Sequence, residues 1–124
     1  AAQAVITTAP NYEASFPACV EKVSRVMSGS SAASYCQNDK SEAFVTCTLA
    51  LSAHSSGTTA ASYCLQYQTP SFVNCATTLP KRISISGSTA ASYCSNKNSQ
   101  TFIDCTIRLA ATMSGSTAAS YCLQ

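Results

Sequence analysis

The stretch SGSTAASYC at residues 114–122 has three near-copies in the same chain, at 28–36, 56–64 and 86–94. The eight cysteines recur with the same period, since the successive spacings between them are 17, 11, 17, 11, 19, 11 and 17 residues. A fixed period of this kind indicates a duplicated structural unit. The 124-residue chain therefore divides into four units of about 28 residues, of which the third is two residues longer.

Each unit predicts a helix ahead of the repeated phrase. A phenylalanine, a cysteine and an aliphatic residue stand at i, i+3 and i+7, as Phe44, Cys47 and Leu51 do. This spacing puts the three side chains on one face of a helix, and the alternation typical of a strand is absent.

Capping signals predict where the helices begin and end. Hydroxyl side chains cap the first turn of helices, so we expect the first helix of a unit to start at Ser15, Ser71 or Thr101. We expect the glycine of the phrase to end this helix with a positive φ, at Gly29, Gly57, Gly87 and Gly115. The hydroxyl residue after each glycine is then expected to cap a short second helix containing Ala-Ala-Ser-Tyr-Cys.

The predicted fold is all-α: four tandem helical hairpins, stapled by disulfides and packed as one repeat domain. Its repeats span about 14–41, 42–69, 70–99 and 100–124, and an N-terminal arm, 1–13, is expected to cover the first or the last repeat. Repeats of this kind stack against their neighbours. The sequence leaves open whether the stack is open or closed into a ring.

Two regular disulfide schemes fit the repeat. The first closes each hairpin across its own turn, through Cys19–Cys36, Cys47–Cys64, Cys75–Cys94 and Cys105–Cys122. The second joins neighbouring units through Cys36–Cys47, Cys64–Cys75 and Cys94–Cys105, with Cys19–Cys122 closing a ring. We favour the first, because its partners lie at matching heights on the two sides of the turn. Closing one such loop stabilises a fold by about 3 kcal/mol, so we expect the oxidised protein to resist heat and the reduced protein to unfold.

Composition narrows the class of protein. Charged residues make up only 10% of the chain and the net charge is +2, which argues against a nucleic-acid partner. No apolar run is long enough to form a transmembrane segment. Eight cysteines without a C-x-x-C pair, beside a single histidine, favour disulfides in an oxidising compartment over zinc. We therefore expect a secreted protein whose mature N-terminus is Ala1, with no metal and no cofactor.

Recurring aromatic residues are predicted to pack the repeats together. They are Phe16, Phe44, Phe72 and Phe102 on the first helices and Tyr35, Tyr63, Tyr93 and Tyr121 on the second. A buried tyrosine usually finds a hydrogen-bond partner, which we expect in the neighbouring repeat. The phenylalanine stripe could instead line a cavity for a lipid or another small apolar ligand.

Charged residues differ between the repeats, and a unique binding site cannot be built from four equal copies. The candidates for binding a partner are six of the seven cations, all of which lie outside the repeated phrase, namely Lys22, Arg25, Lys81, Arg82, Lys97 and Arg108. No catalytic residues are predicted, because His54 is the only histidine and no G-x-S-x-G motif accompanies the many serines.

In size and cysteine content the chain resembles small secreted cysteine-rich proteins such as fungal effectors and elicitors. It is also similar to secreted sweet-tasting proteins in its size, mild basicity and cysteine content. Plant lipid-transfer proteins share the count of eight cysteines, but their Cys-Cys and Cys-x-Cys motifs are absent here. The resemblance implies a non-enzymatic protein that acts through its surface on an extracellular receptor. The alternative is a carrier of a lipid or another small apolar ligand.

Overall fold

The computed structural model describes the chain over residues 12–124, with side chains from residue 15 onward. This part of the protein folds into eight helices and contains no strand. The helices are α1 Tyr12–Val23, α2 Gly29–Asn38, α3 Glu42–Leu51, α4 Gly57–Cys64, α5 Pro70–Arg82, α6 Gly87–Asn96, α7 Gln100–Leu109 and α8 Gly115–Cys122. The all-α prediction is confirmed. The predicted arm lies outside the described residues, apart from the start of α1 at Tyr12.

Consecutive helices pair into four hairpins, α1–α2, α3–α4, α5–α6 and α7–α8. The first helices of the hairpins pack side by side in one layer, and α4, α6 and α8 pack in a second layer. Over residues 12–124, the main helix contacts lie within a hairpin or between hairpins adjacent in sequence. The arrangement is therefore an open stack, in which each hairpin buries its apolar faces against its neighbours.

Each hairpin contains its own disulfide. The bonds are Cys19–Cys36, Cys47–Cys64, Cys75–Cys94 and Cys105–Cys122, with Cα–Cα distances of 5.8 to 6.0 Å. This is the first of the two schemes. Each bond ties the middle of a first helix to the end of the short second helix, which would be unstable alone in water at this length.

The glycines of the repeated phrase do not end the first helices, contrary to the prediction. None has a positive φ, and each is the first residue of a second helix. The serine before the glycine is the N-cap: Ser56 Oγ accepts a hydrogen bond from Thr59 N at 3.2 Å, and Ser28, Ser86 and Ser114 act in the same way. The hydroxyl residues after the glycines therefore lie inside the second helices rather than capping them.

Close packing between hairpins explains why glycine is needed there. A Cβ built at Gly57 would overlap the backbone carbonyl group of Val26 in the preceding hairpin. At Gly87 it would lie 2.6 Å from the His54 carbonyl carbon, and at Gly115 it would meet the Ile85 side chain. Only a residue without a Cβ lets these backbones approach so closely.

The first helices begin earlier than predicted. Ser41, Thr69 and Ser99 are the N-caps, each accepting a hydrogen bond at 3.2 Å from the amide of the phenylalanine three residues on. Ser71 and Thr101, the predicted starts, lie inside α5 and α7, as Ser15 does in α1. The phenylalanine N–H donates to the hydroxyl three residues before it, so Ser71 and Thr101, one residue before the phenylalanine, lie within the first helical turn and not at the cap.

The core follows the predicted helix face. Phe44, Phe72 and Phe102 are buried and Phe16 is half-buried. The core also contains two buried hydroxyls without a hydrogen-bond partner, on Thr48 and Thr106. No helix among residues 12–124 combines the length and the apolar character needed to cross a membrane.

Candidate partner-binding surface

The turns inside the four hairpins lie together at one end of the helices, which we call the turn end. The turn end comprises the last turn of each first helix and the residues that follow it, 20–28, 48–56, 79–86 and 106–114. The connections between hairpins form the opposite end, which we call the linker end. Five cationic residues lie in the turn-end segments, against a single acid, Glu21.

The structure separates the six predicted partner-binding cations. Arg25, Lys81, Arg82 and Arg108 are exposed at the turn end, and among the described side chains none of them forms a salt bridge. These four are therefore available to an external anion.

The other two candidates have different surroundings. Lys22 also lies at the turn end, but its Nζ is 3.4 Å from Glu42 Oε2. The Lys22 side chain is 41% exposed and that of Glu42 is 77% exposed, so solvent screens the pair and it is worth at most about 1 kcal/mol. Lys97 lies at the linker end, where its backbone N–H donates to the Tyr93 carbonyl oxygen. The six cations therefore do not share one surface.

A groove of about 440 Å³ opens at the turn end between the third and fourth hairpins. It is lined by Arg82, Ile83, Ser84, Ile107, Ala110, Ala111, Met113, Ser114 and Gly115. The two-residue insertion of the third repeat supplies part of this lining, and the matching turns of the other repeats lack it. The groove is thus a feature of one repeat junction, as a unique binding site requires.

The groove combines apolar side chains with groups that attract negative charge. Arg82 supplies a guanidinium that can bind a carboxylate through two hydrogen bonds. The first turn of α8 begins at Gly115, and unpaired N–H groups at a helix N-terminus favour negative charge. Ile83, Ile107 and Met113 supply the apolar contact area. The arrangement suits an acidic group attached to an apolar one, as in a peptide segment with an acid beside a large aliphatic residue.

Sequence reasoning missed the apolar half of this site. Ile83 and Met113 were not candidates, because neither belongs to the periodic helix face. The signal that could have found them was the insertion itself, which places two isoleucines, Ile83 and Ile85, in a turn where the other repeats are shorter.

The linker end holds a structural hydrogen-bond network around Asp39. Its Oδ1 accepts from Ser41 N at 2.9 Å and its Oδ2 accepts from Gln68 Nε2 at 2.8 Å. Burial raises the pKa of Asp39, but the hydrogen bonds from Ser41 and Gln68 and the charge of Lys40 outweigh it, so the pKa lies below its usual value. Gln68 also donates to the Cys64 carbonyl oxygen. Because Gln68 and Asp39 belong to successive linkers, the bond between them joins the two linkers.

Two of the repeated tyrosines, Tyr35 and Tyr93, join the second helices of neighbouring hairpins by hydrogen bonds. The Tyr35 hydroxyl donates to the Thr58 carbonyl oxygen at 3.3 Å and lies 3.1 Å from Ser62 Oγ. Tyr93 makes the equivalent contact with Ser120 at 3.0 Å. Tyr121 on the last hairpin is 58% exposed.

A second groove, of about 500 Å³, runs between α3 and α5. Ala43, Thr46, Pro70 and Val73 are among its lining residues, and Glu42 stands beside them. Most of these residues are exposed, so the groove is open to solvent. It offers an apolar ligand a shallow surface rather than an enclosed cavity.

The described residues contain no cluster of three or more His, Cys, Asp or Glu side chains placed to bind a metal ion. All eight cysteines are in disulfides. His54 is half-buried in the turn of the second hairpin, where its backbone packs against Gly87.

Comparisons with protein-family models, with curated proteins and with solved structures found no significant match. The resemblances to small secreted cysteine-rich proteins and to sweet-tasting proteins rest on size, charge and cysteine content.

Proposed function

We propose that this is a secreted, non-enzymatic repeat protein that binds an extracellular receptor through its cationic turn end. The single observation that carries the proposal is the groove between the third and fourth hairpins, in which Arg82 stands beside an apolar wall. Lys81 and Arg108 adjoin it in sequence and are exposed. An arginine beside apolar side chains, once a partner covers them and excludes water, is typical of the residues that dominate binding energy at interfaces.

The oxidising compartment is supported by the four disulfides. Bonds of this kind persist in secreted proteins and are rare where thiols are kept reduced. Because each hairpin is held by its own bond, the surface residues can differ from one hairpin to the next while the fold is kept. An effector, an elicitor and a taste-active protein all need such a rigid scaffold with a few specific surface residues.

Most of the turn-end cations also have a structural role. Lys22, Lys81, Arg82 and Arg108 lie in the last turns of their helices, where positive charge stabilises the helix dipole by about 0.3 to 1 kcal/mol each. A functional test must therefore show that a variant stays folded before its binding is compared.

The test is a binding screen of the oxidised protein against an array of receptor ectodomains, repeated with charge-reversed variants. We expect Arg82→Glu to weaken any specific interaction at least about tenfold, since truncating a central arginine contact typically costs 2 kcal/mol or more. Lys97→Glu is the matched control, because it reverses an exposed cation at the linker end. Circular dichroism checks that both variants keep their helices.

Two results would overturn the proposal. The first is a receptor interaction that Arg82→Glu and Arg108→Glu leave unchanged, which would place binding elsewhere on the molecule. The second is equal loss with Lys97→Glu, which would mean that net charge rather than the groove is recognised.

The α3–α5 groove favours one alternative, a carrier of a small apolar ligand. Binding sites for such ligands usually bury most of the ligand surface, and this groove is open. Native mass spectrometry of the secreted protein distinguishes the two functions. A co-purifying apolar molecule, lost on substitution of Val73 by Glu, would favour the carrier.

A further inference from the structure

Two kinds of contact recur at the junctions inside the stack. At the first and third junctions the tyrosine of one second helix reaches the serine of the next, as Tyr35 reaches Ser62 and Tyr93 reaches Ser120. The turn of one hairpin packs on the glycine of the next, as Val26 packs on Gly57. Every hairpin thus has one surface that presents the tyrosine and the turn, and an opposite surface that presents the glycine and the serine. We call these the tyrosine face and the glycine face.

The fourth hairpin leaves its tyrosine face uncovered by any described residue. Tyr121 is 58% exposed, whereas Tyr35, Tyr63 and Tyr93 are half-buried. Cys105 and Leu109 on α7 are only half-buried, although their equivalents in the second hairpin, Cys47 and Leu51, are 0% and 3% exposed. A shallow cavity of about 260 Å³ lies on this face beside Tyr121 and Cys105.

The first hairpin leaves its glycine face uncovered by any described residue. Gly29 is exposed, and a Cβ built there would meet nothing within 4 Å. Ala33 is half-buried, although the equivalent Ala61 is fully buried. The tyrosine half of a junction is therefore available on the fourth hairpin, and the glycine half is available on the first.

We propose that the tyrosine face of one copy binds the glycine face of a second copy, so that the chains stack head to tail. In this contact Tyr121 reaches Ser34 of the other copy, and the turn at Thr112 packs on its Gly29. The protein already forms this interface between its own hairpins, with the glycine–turn contact at three junctions and the tyrosine–serine contact at two. The proposal is independent of the proposed receptor function.

The geometry of the contact predicts how the assembly grows. The two faces differ, so the contact is heterologous, and each added copy leaves one face of each kind free. The oligomers should therefore lengthen with concentration and not stop at a dimer. The disulfides are not involved, because each is internal to one hairpin.

Sedimentation velocity of the oxidised protein tests the proposal, with two variants that each block one face. Gly29→Ala adds a methyl group where the other copy's turn must pack, and Tyr121→Glu places a charge in the contact. Tyr67→Glu is the matched control, because Tyr67 is the other exposed tyrosine among the side chains described from residue 15 onward and lies in a linker. Circular dichroism confirms that all three variants are folded.

We expect the average mass of the wild type to rise above 12.9 kDa with concentration, through dimers to longer species. Gly29→Ala and Tyr121→Glu should each remain monomeric, and Tyr67→Glu should behave as the wild type. An equimolar mixture of the two blocked variants should form dimers and nothing larger, because each retains one competent face.

Three outcomes would overturn the proposal. One is a wild type that stays monomeric up to about 1 mM, where even a contact of millimolar affinity is populated. Another is self-association that both blocked variants preserve. The third is a mixture of blocked variants that fails to dimerise although each alone is folded and the wild type associates.

Discussion

The four glycines of the repeated phrase give a graded prediction, because they differ only in what lies beside them. Substitution of each by alanine adds one methyl group at the first position of a second helix. At Gly57 that methyl would overlap the Val26 carbonyl of the preceding hairpin, and at Gly87 it would lie 2.8 Å from His54 Cβ. At Gly29 it would meet nothing within 4 Å.

The expected free energies follow from two opposing effects. Replacing glycine by alanine reduces the entropy of the unfolded chain, which stabilises a fold by about 0.4 to 1 kcal/mol where there is room. Forcing a methyl group into a packed interface costs about 1 to 3 kcal/mol. Gly29→Ala should therefore stabilise the protein by about 0.4 to 1 kcal/mol. Gly57→Ala and Gly87→Ala should destabilise it by about 1 to 2 kcal/mol.

Gly115 should give an intermediate result. Its added methyl would meet the Ile85 Cγ2 atom and, at 3.2 Å, Ile83 Cδ1. Ile83 Cδ1 is a side-chain end that can rotate and Ile85 Cγ2 can move with χ1, whereas the carbonyl groups beside Gly57 and Gly87 can move only with their backbone.

The assay is guanidinium denaturation of the oxidised protein, followed by far-ultraviolet circular dichroism. Low micromolar concentrations keep any head-to-tail contact from contributing. The refuting result is equal destabilisation by Gly29→Ala and Gly57→Ala. It would mean that the glycines serve a local backbone conformation common to all turns, and not the approach of one hairpin to the next.

Three other perturbations test the core, the linker and the disulfides. Thr48→Val should stabilise the protein by about 1 kcal/mol or more, because it removes a buried unpaired hydroxyl; a loss of stability on thermal denaturation would contradict this. Asp39→Asn should destabilise the protein at pH 7, because it removes the carboxylate that accepts from Ser41 and Gln68. The pKa of Asp39 is lower in the folded protein than in the unfolded chain. Ionised Asp39 therefore adds to the free energy of unfolding above the unfolded pKa of about 3.9, and this stabilisation is lost as the pH falls through the folded pKa. The two proteins should therefore converge in stability as the pH falls below the folded pKa of Asp39, and a difference independent of pH would contradict the network. Replacing Cys47 and Cys64 together by alanine should cost about 3 kcal/mol, and a denaturation midpoint unchanged from the wild type would refute that.

Much of the fold could be predicted from the repeat. The spacing of Phe44, Cys47 and Leu51 indicates a helix face, and equal heights about the turn favour a disulfide within each hairpin. The role of glycine could not be predicted in the same way. A glycine between two helices is compatible with a positive φ at a helix end and with close packing against another backbone, and only the neighbouring hairpin decides between them.

The candidate site was predictable in its residues but not in their arrangement. The cations were recognised as the part that varies between repeats. Their arrangement depends on where each helix begins and ends. The helix bounds place Arg82 and Arg108 at the turn end and Lys97 at the linker end. The predicted starts at Ser71 and Thr101 were displaced, since the real caps, Thr69 and Ser99, depend on which N–H group is left unpaired.

The central claim is that each repeat is a hairpin closed by its own disulfide. Tryptic mapping without reduction, after free thiols are blocked, tests it most directly, because cleavage sites separate most of the cysteines. The account predicts three linked pairs of fragments, 1–22 with 26–40, 41–81 with 83–97, and 98–108 with 109–124. Linkage of 26–40 to 41–81, and of 1–22 to 109–124, would show bonds between repeats and contradict it.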